Sequence, residues 1–95
     1  MTGEAVAHRA QLLDALAEAV PLLRAHNEDR WASWLETDAA RISDGDDYGL
    51  DHLLQAFGGM GSLNDLALPG PDDDRLWSLR ERMWSSARAL QRERG

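Results

Sequence analysis

Chemistry has one obvious place to gather in this 95-residue chain: "FGGMGSLND", Phe57 to Asp65. Successive backbone N–H groups in a glycine loop that leads into Ser62 are the makings of an anion nest. Gly59, Gly61, Ser62, Asn64 and Asp65, with Arg80 from further along the chain, form the candidate ligand-binding set. The spacing fits neither the phosphate loop nor the dinucleotide fingerprint, no strand pattern precedes it and no lysine follows. Asp65 would also repel an incoming phosphate. A packed corner explains the same residues more fully. Gly58 stops a helix, Gly59 and Gly61 permit backbone angles closed to other residues, and Ser62 with Asp65 spells a capping box. Met60 and Leu63 then fill irregular space over the core.

Other polar clusters carry less. "DGDDYGLDHLLQ", Asp44 to Gln55, imitates a calcium loop through Asp44, Asp46 and Gly49. However, Tyr48 stands where a third oxygen ligand belongs, and Gln55 replaces the bidentate glutamate. A helix stop followed by an aspartate N-cap accounts for it, so no metal site is expected. His8, His26 and His52 have no second histidine at i+3 or i+4, the spacing that brings two imidazoles onto one helix face. Ser33, Ser62, Ser78, Ser85 and Ser86 lack a sequence-local base or nucleophile elbow. No catalytic residue and no cofactor is assigned, and the balance leans away from an enzyme.

Four tryptophans stand out more. Trp31 and Trp34 share a helical face and are expected in the core. Trp77 and Trp84, at i and i+7, flank their apolar stripe and make the candidate interaction surface. Arg80 lies about 40° from Leu76 on the wheel, inside an apolar arc, by the 100° helical step. A buried guanidinium needs a partner. The expected ones are Asp65 or the ring faces of Trp77 and Trp84.

The elements that must position these residues are helices. Val6, Ala10, Leu13, Leu16, Ala17, Val20 and Leu23 form an apolar stripe on a first helix from about Glu4 to His26, with Pro21 as a kink rather than a stop. Asn27 is the expected N-cap of a second helix, whose stripe is Trp31, Trp34, Leu35, Ala39 and Ile42 and whose end is Gly45. Asp46 or Asp47 caps a short third helix with Leu50, Leu53, Leu54 and Phe57 inward, and Gly58 ends it as Gly45 ends the second. Asp72 caps the last, with Leu76, Leu79, Met83, Ala87 and Leu90 inward. No strand alternation and no internal repeat interrupts this. The expectation is an all-α bundle of three to four main helices, a single domain over residues 1–95, with a glycine-rich corner before the last helix.

Composition narrows the function classes. All ten cations are arginine, and the formal net charge is −7. Residues 75–95 carry six arginines against two glutamates, while residues 31–74 carry ten acids against Arg41 alone. That balance disfavours nucleic acid and suits internal pairing between the basic last helix and the acidic middle. Cysteine is absent, which removes disulfides and thiolate chemistry. With no apolar run long enough to span a bilayer and no signal peptide, a soluble cytoplasmic protein is expected, without membrane partners, as monomer or homodimer.

"WASWLETDAARISDGDDYGLDHLLQAFGGMGSLNDLAL", Trp31 to Leu68, resembles a family of small bacterial proteins described as a domain of unknown function. Its pattern pairs a Trp-x-x-Trp-Leu helix and a Gly-Asp turn with a Phe-Gly-Gly-Met-Gly-Ser-x-Asn-Asp segment. Trp31, Trp34, Leu35, Gly45, Asp46, Phe57 to Ser62, Asn64 and Asp65 fit it. The resemblance implies no activity and transfers no catalytic residue. The first expectation is therefore a non-enzymatic protein-interaction module, inhibitor- or immunity-type included, that recognises one protein partner. The rival is a small-ligand or anion-binding domain, with or without enzymatic activity, built on the Gly58–Asp65 loop.

Overall fold

The computed structural model describes residues 3–58 and 61–94. Helices α1 (Gly3–Ala25), α2 (Asp29–Ser43), α3 (Asp47–Gln55) and α4 (Asp72–Arg94) form an all-α bundle, with one 3₁₀ turn at Leu63–Asp65. No strand occurs among the described residues. The two 23-residue helices lie antiparallel: His26 meets Asp72, Glu18 meets Arg82, and His8 meets Glu93. Helix α2 folds back on α1, α3 folds back on α2, and α4 closes the core against α1. Leu12, Leu16, Leu23, Leu35, Ile42, Leu53, Leu63, Leu76 and Met83 are sealed at its centre.

Helix ends follow the expected logic with three corrections. Asn27 is not the N-cap of α2. It takes φ +62°, and its N–H and that of Glu28 bond to the carbonyls of Arg24 and Leu23, so it closes α1. This is the double bond of a helix C-terminus, with asparagine tolerating the left-handed angle that glycine usually supplies. Gly45 closes α2 in the same way, at φ +83°. Gly58 does not act like Gly45: its φ lies outside the left-handed region, and α3 ends in 3₁₀-type bonds from Ala56 and Phe57 to Leu53 and Leu54. Asp46 does cap α3, accepting the Tyr48 N–H at 3.0 Å, which explains the calcium-like stretch without a metal. Asp72 is the first residue of α4, and its carboxylate is engaged by His26 rather than turned back on its own helix.

The inward face of α1 also differs. Ala5, Leu12, Ala15, Leu16, Ala19, Leu22 and Leu23 are buried, whereas Val6, Ala10 and Ala17 are exposed. Alanine at so many positions lets the helix rotate by a fraction of a turn at little cost, because a methyl contributes little transfer energy either way. Pro21 lies on the exposed side and the helix continues through it.

Candidate functional site

Two charged side chains are buried among the described residues, Asp38 and Arg80. They mark the two places where polar chemistry is held inside the bundle.

Arg80 stands under the glycine corner. Its Nη1 donates to the carbonyls of Leu66 at 2.7 Å, Leu63 at 2.8 Å and Asn64 at 3.3 Å. Its Cζ lies 5.6 Å from the Trp77 ring centroid. The expected Asp65 partner is wrong: Asp65 Oδ2 instead accepts the Gly61 N–H at 2.8 Å. The corner thus docks to α4 through backbone carbonyls, which no residue type advertises. The expected ring contact is made with Trp77 only, since Trp84 faces Arg88 at 5.5 Å. Burial lowers the Arg80 pKa, and the Asp73 charge partly opposes the shift.

The corner itself is folded inward. Gly61 has the left-handed φ of +75°. Ser62 is buried, and its hydroxyl makes no bond among the described residues, so the capping box is not formed; the Asp65 carboxylate reaches one residue further back than a box requires. Asn64 Nδ2 donates to the Phe57 carbonyl at 3.0 Å, and the Leu63 N–H takes the Ala56 carbonyl at 2.8 Å. An anion nest at Gly61 would therefore have to displace the loop's own carboxylate. Gly59 and Met60 lie outside the described residues.

Beside this corner opens a pocket of about 260 Å³, lined by Phe57, Asn64, Trp77, Arg80, Glu81 and Trp84. Trp77 is 54% exposed and Trp84 44%, as their flanking position on the stripe predicts. The Phe57 and Trp84 rings meet at 5.7 Å in a tilted arrangement. Of the predicted site residues, Asn64, Arg80, Trp77 and Trp84 come together here, while Gly61, Ser62 and Asp65 shape the neighbouring turn.

The second place escaped the sequence reading. Asp38 is fully buried on α2, and His52 Nδ1 on α3 lies 2.8 and 2.9 Å from its two oxygens. An ionised carboxylate there holds the imidazole proton on Nδ1. The His52 ring stacks on Trp34 at 4.2 Å and faces Tyr48 at 6.0 Å. Gly49 makes the approach possible: a Cβ there would meet the Arg41 Cβ at 2.6 Å. Burial pushes the Asp38 carboxyl above its usual range, while His52 and then Arg41 pull it down. Such a pair can orient a general base, yet no hydroxyl or thiol among the described residues bonds to the other ring nitrogen. The arrangement clamps α3 to α2.

Among the described residues no group of three or more His, Asp or Glu is placed to hold a metal, and no helix is long and apolar enough to cross a membrane. No curated protein and no solved structure matches the chain. A family model does match, over residues 24–76, a span that contains Asp38, His52 and the glycine corner and stops just short of Trp77 and Arg80. That is more than half of the sequence, and the chain belongs to this family, described as a domain of unknown function (DUF6966).

Proposed function

We propose that the domain is a non-enzymatic protein-interaction module that receives a side chain of one protein partner in the Phe57–Trp77–Trp84 pocket. The supporting observation is the pair of half-exposed tryptophans on the outer side of α4, set seven residues apart beside a pocket with a fixed floor. Large apolar side chains left in water cost free energy that a partner recovers by covering them, and tryptophan is the residue type most enriched at binding hot spots. Arg80 is immobilised by three carbonyls, so the pocket is organised before a partner arrives, which lowers the ordering cost of binding. The net charge of −7 favours a partner of opposite overall charge, as in inhibitor- and immunity-type domains that cover a basic active site.

The Gly58–Asp65 loop as an anion cradle is the weaker reading, because Asp65 already fills the Gly61 N–H. The test is parallel capture from the native host with the parent chain, Trp77→Ala, Trp84→Ala and, as a control at an exposed apolar site away from the pocket, Val6→Ala. Proteins retained by the parent and the Val6 variant but lost from both tryptophan variants are expected. Identical capture by all four chains would sink the proposal.

A further inference from the structure

We infer that the group a partner inserts into this pocket carries a carboxylate, received by the unused edge of Arg80; this rests on the interaction reading above. Arg80 is only 6% exposed, and no acid among the described residues forms a salt bridge with it. Asp65 is turned to Gly61, and Asp73, whose charge Arg80 feels, spends its Oδ1 on the Leu68 N–H. Three carbonyl dipoles and one ring face stabilise the cation without neutralising it.

All three of its hydrogen bonds leave from Nη1. Nε and Nη2 have no hydrogen-bond partner among the described residues. Arg80 lines the pocket. The Nε–Nη2 edge of a guanidinium is a planar fork that matches the two oxygens of a carboxylate. A pocket of about 260 Å³ is smaller than the range usual for whole small molecules and suits one side chain or chain end.

Aromatic walls with Glu81 nearby raise the opposite possibility, a cage for an ammonium group. The ring faces decide against it. Trp77 already carries Arg80 and Trp84 already carries Arg88, so an entering cation would meet two others. Glu81 is exposed, and its charge opposes a carboxylate only through solvent.

The experiment titrates the full chain with phenylacetate, phenylacetamide and phenethylamine, three probes that share a ring and differ in charge, read by indole and guanidinium N–H signals in NMR. Phenylacetate should bind about ten-fold more tightly than the other two, the scale of a charge-assisted pair. Glu81→Gln should tighten it a few-fold, roughly what losing one screened like charge provides. Arg80→Lys should erase the preference; because that variant removes a buried fork, Glu81→Gln keeps the test independent of its folding. Preference for the amine, equal binding of all three, no binding, or weaker phenylacetate binding in Glu81→Gln would each overturn the inference. Excess phenylacetate should also release partners captured through the tryptophans. Partners that depend on Trp77 and Trp84 but ignore phenylacetate would overturn the carboxylate and leave the interaction reading standing. Capture indifferent to the tryptophans would remove that reading itself.

Discussion

Asp38 and Arg80 are both buried, both charged, and compensated in opposite ways. Asp38 has side-chain partners: both oxygens face the His52 Nδ1, and the Arg41 guanidinium lies at 3.8 Å. Among the described residues Arg80 has dipoles alone, three carbonyls of the corner and the Trp77 ring. A buried carboxylate with both oxygens engaged has little capacity left for a ligand and works as a fastener. One held by dipoles on a single nitrogen keeps donors in reserve. The difference separates a structural clamp from the proposed site.

The largest effect should come from Asp38→Ala. Removing one member of a buried pair typically costs about 3–5 kcal/mol, and denaturant unfolding should register a loss of that size. Loss below about 1 kcal/mol would mean that His52 simply turns to water. Acidity sharpens the point. Burial places the folded-state pKa of Asp38 above its unfolded value. The stability this contributes is therefore present below the unfolded pKa and lost as pH rises through the folded one. Between about pH 3 and pH 6, the melting temperature of the parent should fall relative to Asp38→Asn, whose side chain does not titrate. The reverse slope would show that the His52 partnership outweighs desolvation.

Arg80→Gln comes next, at about 2–3 kcal/mol, in the range of hydrogen bonds to charged groups. It frees the Leu63, Asn64 and Leu66 carbonyls from α4, so hydrogen exchange should rise first at the corner. Exchange that rises first at the α2–α3 turn would invert the assignment of roles. Gly49→Ala follows at about 1–3 kcal/mol, the usual cost of overpacking, because the added methyl drives against Arg41 and lifts α3 from α2. The His52 ring current on Trp34 should weaken with it, while the Arg80 pocket stays unchanged.

The sequence carried these two regions unequally. Arg80 was legible because a lone guanidinium in the middle of a leucine arc is anomalous on a helical wheel. Its partners were not, since carbonyls are the same at every position and only the path of the corner aims three of them at one nitrogen. Asp38 was illegible: one acid among ten in residues 31–74 looks like a solvated face. Only the turn at Gly45 and the close approach at Gly49 bring His52 to it, from fourteen positions away. Helix number, the Gly45 and Asp46 boundaries and the flanking tryptophans followed from local chemistry that acts within a turn or two. The face of α1 did not, because its alanines left several rotations nearly equal in energy, and packing against α2 and α4 chose between them.

The smallest effect belongs to Asp65, and it tests whether the corner and Arg80 are joined through side chains at all. Its carboxylate accepts one backbone N–H, from Gly61, on an exposed turn. Asp65→Ala should therefore cost only about 1 kcal/mol, the net worth of one such bond. Gly61 keeps its left-handed φ by its own lack of a side chain, so the turn need not open. Since Arg80 bonds to the carbonyls of residues 63, 64 and 66 and not to the carboxylate of 65, the two losses should add. In a double-mutant cycle with Arg80→Gln, the coupling should stay within about 0.5 kcal/mol. A coupling well above that would mean Asp65 supplies charge to Arg80 after all. The guanidinium would then have its counter-ion, its spare edge would have no reason to wait for a partner's carboxylate, and the contrast with Asp38 would collapse.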